Sequence, residues 1–110
     1  DISRSSIELF TSSVKKYSHI KVDSFVRNIK YFRGSDLYVI SNPPYGLRIG
    51  ENEKLEKLYS LIEQSLLNRN VNTFLLIEDS PLLEIFKSDI VNKYHVMNGG
   101  IKCLFIKLNT

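Results

Sequence analysis

The chain has a single cysteine, Cys103, so it can form no internal disulfide; its place in an apolar, strand-like run reads as a packed thiol suited to a reducing cytosol. No apolar run approaches the ~20 residues of a membrane span and no signal peptide opens the chain, so a cytoplasmic protein without membrane contact is expected. His19 and His95 sit in or beside strand patterns with no second ligand spaced for a metal. Both read as structural, and no metal is expected. Internal repeats, low-complexity tracts and P-loops are missing too. So is any Gly-x-Gly turn of the kind that follows the first strand of a nucleotide-binding sheet. What remains is 110 residues, 43% of them hydrophobic, enough for one globular unit with at most one core. A net charge of +3 is compatible with nucleic acid without requiring it.

Hydrophobic spacing divides the chain into alternating helices and strands. Ile7, Phe10, Val14 and Tyr17 recur at helical intervals behind Ser3, a fair N-cap, and predict a helix of about four turns. Ile20 to Phe25 alternates and reads as a strand, with Val26 to Phe32 an irregular turn. Leu37-Tyr38-Val39-Ile40 is short, apolar and β-branched, as a strand buried on both faces should be. Leu55, Leu58, Tyr59, Ile62 and Leu66 predict a second core helix ending near Asn68-Arg69-Asn70. Thr73 to Ile77 is another buried-strand run, and Ser80-Pro81 opens a short helix through Phe86. Tyr94 to Met97 and Ile101 to Ile106 flank Asn98-Gly99-Gly100 and predict an antiparallel hairpin. Strand, helix, strand, helix implies an α/β fold with parallel pairing and crossovers.

Within that frame Asn42-Pro43-Pro44-Tyr45 follows directly on a strand. Asparagine and proline dominate turns, and a plain turn is one reading. The other is chemical. An exocyclic amine or amide nitrogen has its lone pair delocalised and is a poor nucleophile, so two acceptors must engage its N–H bonds. The Asn42 side-chain carbonyl and the backbone carbonyl of Pro43 are such a pair. Each proline fixes φ near −65° and holds them in place before a substrate arrives. Tyr45 offers a flat face for a planar group, and Gly46 allows a sharp turn beneath it. A site at the carboxyl end of a parallel strand is where open α/β sheets put their chemistry. Arg48, in a loop over this site, would meet either a phosphate or the motif's own backbone.

Asn42 to Glu51, NPPYGLRIGE, resembles the catalytic motif of the THUMP-associated RNA guanine-N2 methyltransferases. Asn98 to Leu104, NGGIKCL, is similar to that family's last hairpin, and the opening DISRSSIELF to its second cofactor motif. The resemblance implies a Rossmann-like class I methyltransferase sheet, of which this would be the C-terminal half, and S-adenosyl-L-methionine as cofactor. It implies RNA, tRNA or rRNA, as substrate. By position Asp1 would bond the cofactor ribose and Ile2 pack on its adenine, unless Asp1 is simply an exposed terminal residue. The adenine-binding carboxylate of the family has no obvious counterpart, because its slots hold Val26, Arg27 and Asn28; Asp23 is the nearest candidate, and an outward-facing strand aspartate the plainer reading. Asn42, Pro43, Pro44 and Tyr45 would form the catalytic set, with Asn42 also at the cofactor and Tyr45, Gly46 and Arg48 toward the RNA. Arg27, Lys30 and Arg33 would either touch an RNA phosphate or form a solvated face.

The missing glycine turn carries a further expectation. The family's first and second strands lie between the third and fourth, so Ile20–Phe25 and Leu37–Ser41 should not be neighbours. The chain would then be half of a catalytic domain, completed by an N-terminal half in a parent or partner chain. Two other functions remain open: methylation of adenine N6 in DNA or of a protein glutamine, which use a similar tetrapeptide, and a non-catalytic RNA-binding or assembly module.

Overall fold

Ser3 does what its position predicts. In the computed structural model, which describes residues 1–45, 51–87 and 89–109, its Oγ accepts the Ser6 N–H at 3.2 Å and opens helix α1, Arg4–Val14. Such a cap stabilises a helix by about 1 kcal/mol. The chain divides into two compact units, residues 1–32 and 33–110, and α1 belongs to the first, which contains no fully buried residue. All of the buried hydrophobic core lies in the second.

Residues 20–25 are extended but do not form the expected strand. Alternation supplies the side chains of a strand, yet a ladder also needs a neighbouring backbone. Among the described residues Asp1 supplies one: its terminal nitrogen donates to the Phe25 carbonyl at 3.4 Å and its carbonyl accepts from the Arg27 N–H at 2.6 Å. That is one rung of a parallel pair, centred on Val26, and one rung is not a ladder.

The second unit is a four-stranded sheet. Strand β1 (Tyr38–Ser41) runs parallel to β2 (Asn72–Glu78), and β3 (Ile90–Asn98) and β4 (Ile101–Asn109) form an antiparallel hairpin whose second strand lies against β2, giving the order β1-β2-β4-β3. Before β1 and β2, Asp36 and Asn70 both take positive φ, which their short polar side chains tolerate. The Asp36 N–H donates to the Asn70 carbonyl at 3.0 Å and the Asn70 amide to the Asp36 carboxylate. This clip sets the parallel register, which continues as Asn72 N–H to Leu37 carbonyl at 2.8 Å. Helix α2, Asn52–Leu66, makes the crossover between β1 and β2 and buries Leu55, Tyr59, Ile62, Ser65 and Leu66. A 3-10 segment, Pro81–Phe86, leads from β2 toward β3. Proline opens it as expected, but Ser80 caps it with its backbone carbonyl, 3.1 Å from the Leu83 nitrogen, and not with its side chain.

The two faces of the sheet differ. Thr73, Leu75 and Ile77 of β2 share one face with Leu104, Ile106 and Leu108 of β4, and all are buried. The α2 stripe and Phe86 supply the apolar layer for that side. Tyr38, Ile40, Phe74, Phe105 and Tyr94 point the other way, as the pairings require. Phe74 stacks between Tyr38 and Phe105 at centroid distances of 6.3 and 5.8 Å, so an aromatic row crosses this face. The expectation that Leu37–Ile40 is buried on both faces is therefore corrected: Tyr38 and Ile40 are each 75% exposed. The cause is position, because β1 is an edge strand and, among the described residues of its unit, no second helical layer covers that face.

Candidate active site

Parallel β1 and β2 point their carboxyl ends to the same edge, where Glu78 pairs with Cys103 and Asn98 with Ile101, so the β3–β4 turn is there as well. Gly99 and Gly100 form that turn with φ of 57° and 82°, as a two-residue hairpin with left-handed central residues demands. The segment from Asn42 to Tyr45 leaves β1 at this edge. Asn42 is exposed and Pro43 buried. Among the described residues no hydrogen bond engages the Asn42 side chain or the Pro43 carbonyl, so both acceptors are uncommitted.

Two bonds hold the segment. The Tyr59 hydroxyl, from α2, donates to the Pro44 carbonyl at 2.9 Å. The Asn98 side-chain amide, from the end of β3, donates to the Tyr45 hydroxyl. Tyr59 is 2% exposed and its ring lies 5.7 Å from that of Phe86, so the core fixes the donor. Burial, with the negative charge of Glu78 and the nearby Tyr45 and Cys103 adding to it, pushes the Tyr59 phenol up to about 12. It therefore stays a donor across the physiological range.

A raised folded value means that the native state keeps a proton which the unfolded chain releases above pH 10. Stability from Tyr59 is complete below pH 10 and is lost as pH climbs toward 12. Tyr59→Phe should cost about 1 kcal/mol at neutral pH for the lost bond. It should also flatten the alkaline fall in urea midpoint relative to the parent; parallel pH curves for the two proteins would show that Tyr59 is not the titrating group.

The remaining residues expected at the site are placed as follows. Gly46 and Arg48 lie outside the described residues. Asp1, Ile2 and Asp23 belong to the first unit, Asn42 to Tyr45 to the second. Asp1 is exposed, and its Oδ1 accepts the Ser3 N–H at 2.7 Å; Ile2 is 73% exposed. Asp23 is exposed, in a segment that forms no strand. Arg27 and Lys30 lie over the rings of Phe25 and Tyr31 at 5.2 and 4.8 Å. Sequence reasoning missed Tyr59, read only as core, and Asn98, read only as turn. A phenol on a buried helical stripe needs a partner for its hydroxyl, and that was the available signal for Tyr59.

The family described as UPF0020, an RMKL-like methyltransferase domain, matches residues 13–107. A ribosomal RNA large subunit methyltransferase K/L from Pseudoalteromonas atlantica is 34% identical over 71 residues, which are 63% of this chain and 10% of that protein. Among solved structures, one described as a possible methylase from Clostridium difficile 630 superposes with a TM-score of 0.84 at 21% identity. SMU.472, described as a candidate methyltransferase complexed with SAH, gives 0.82 at 19%. Each superposition covers 98% of this chain and 30% of the other, and at these identities it establishes the fold.

Proposed function

Because the chain belongs to the RMKL-like methyltransferase domain family, we propose that it carries the acceptor-binding half of an S-adenosyl-L-methionine-dependent RNA methyltransferase, acting on the N2 amine of guanosine in rRNA or tRNA. The observation that carries this reading is the pair of uncommitted acceptors at Asn42 and Pro43, one exposed and the other on a buried proline, in a segment tied down at Pro44 and Tyr45. The Asn42 Oδ1 and Pro43 carbonyl each accept one N–H of the amine and draw its lone pair out of the ring. Tyr45 stacks on the extruded base; extrusion is required because an amine inside a stacked helix is out of reach. When bound, the cofactor supplies a methyl group on a sulfonium. The acceptor nitrogen gains the N–C bond as the S–C bond breaks, and it sheds its proton to water afterwards, so no strong base is needed from the chain.

Asp1 and Ile2 suit the ribose and adenine of that cofactor: a carboxylate oriented by the Ser3 N–H beside an exposed apolar side chain. Asp23 is the candidate for the adenine amine. The glycine-rich turn is proposed to come from a complementary N-terminal half, in a parent or a partner chain. The 30% share of each solved chain supports this, and so does the row of aromatic side chains on the face of the sheet opposite the α2 stripe.

The test is methyl transfer from radiolabelled cofactor by the chain, alone and joined to a glycine-rich half taken from a family member. Ribosomal RNA, tRNA, DNA and protein are offered separately. Label recovered as N2-methylguanosine, and only from the joined form, is expected. Label in DNA adenine or protein glutamine, or none with any substrate, would overturn the reading.

A further inference from the structure

The strand order places β1 and β3 at opposite edges of the sheet, three interstrand spacings or roughly 14 Å apart. Yet Tyr45, which leaves β1, is bound through its hydroxyl by Asn98 at the end of β3. The segment from Asn42 to Tyr45, together with the Tyr45 and Asn98 side chains, therefore spans the gap across the carboxyl end of β2 and the start of β4. Asn98 is not needed for the turn, because Gly99 and Gly100 supply both left-handed residues and Asn98 itself sits in β3, paired with Ile101. Its side chain is free for another task.

We propose that Asn98 is a positioning residue that locks the ring of Tyr45 in the orientation that stacks on the acceptor base. The argument rests on the reading of Tyr45 given above. A tyrosine ring is set by two torsions, χ1 and χ2. The Tyr59 bond at Pro44 fixes the backbone just before Tyr45, and the Asn98 bond fixes the far end of the ring. With both ends held, χ1 cannot change without breaking a bond, and the ring presents one face at one angle. The stacking surface is thus set before the base arrives, and the base does not have to order it. The hairpin shapes the acceptor site from the opposite edge of the sheet, through a single side chain.

The experiment is NMR on the full chain with ring-carbon-labelled tyrosine, the Tyr45 signal assigned by its loss in Tyr45→Phe. Asn98→Leu should shift the Tyr45 ring signals to those of a freely rotating, exposed tyrosine, with the Tyr59 signal and the cross-strand contacts of β3 and β4 unchanged. Asn98→Asp, which accepts from the phenol instead of donating to it, should keep the Tyr45 signals near their original position. In the methylating assembly, Asn98→Leu should lower kcat/KM for RNA about ten-fold, within the ~1–3 kcal/mol that stacking on an aromatic contributes. It should have no further effect once Tyr45 is phenylalanine. Unmoved Tyr45 signals in Asn98→Leu, or full additivity of the two substitutions, would overturn the proposal. The NMR arm needs no turnover, so a failure of methyl transfer and a failure of this lock are separately visible.

Discussion

Asn42→Ala is expected to lower methyl transfer to RNA by about 10²–10³-fold while leaving the melting curve of the protein essentially unchanged. The two halves of that expectation have different origins. The loss of rate follows from deleting one of two acceptors that act on the amine only as it becomes nucleophilic, and a preorganised group of that kind is typically worth about 3–4 kcal/mol in the transition state. The unchanged stability follows from the fold: Asn42 is exposed, lies beyond the last residue of β1, and has no described bonding partner. Asn42→Gln sharpens the test. It keeps the amide and lengthens the arm by one methylene, so a site that works by fixed placement should reject it nearly as strongly, since a shift of about 1 Å can cost 10²-fold. Unimpaired RNA methylation by the alanine protein, measured with labelled cofactor, would remove Asn42 from the chemistry.

How much of this was legible beforehand depended on how far apart in sequence the cooperating groups lie. Ser3, α2, β2 and the hairpin are local: each follows from spacing or turn chemistry within a few residues, and each stands where the pattern puts it. The acceptor pair at Asn42 and Pro43 was legible for the same reason, being contiguous. The bonds that immobilise it join residues 15 and 53 positions apart, Tyr59 to Pro44 and Asn98 to Tyr45, and no local pattern announces them. Residues 20–25 and Tyr38 and Ile40 fail in a related way. Alternation and apolarity describe what a segment could bury or pair, whereas the structure depends on whether a neighbour is there. Asp1 gives the former one rung, and β1 at the sheet edge leaves Tyr38 and Ile40 in solvent.

Two aromatic contacts of similar separation illustrate how burial, and not contact distance, sets their weight. Phe86 lies 5.7 Å from Tyr59 and Phe74 lies 6.3 Å from Tyr38, but Phe86 is fully buried while Tyr38 is 75% exposed. Phe86→Ala is expected to destabilise the protein by about 3–5 kcal/mol, because it removes a ring and leaves a cavity that the surrounding core closes only in part. Against the ~5–15 kcal/mol that holds a typical domain folded, this is a large fraction of the total. Tyr38→Ala, for an equally large truncation, should cost under about 1 kcal/mol, the value of an exposed cross-strand pair. Urea denaturation of both variants gives the comparison, and equal losses would mean that the face bearing Tyr38 is covered in solution. The Phe86 cavity has a second consequence. Tyr59 loses the ring that holds it, so its bond to the Pro44 carbonyl weakens, and Tyr59→Phe placed on top of Phe86→Ala should cost measurably less than it does alone. A coupling of that sign connects the core to the acceptor segment through Phe86, Tyr59 and Pro44; strict additivity would leave the segment's rigidity to Asn98 and its prolines alone.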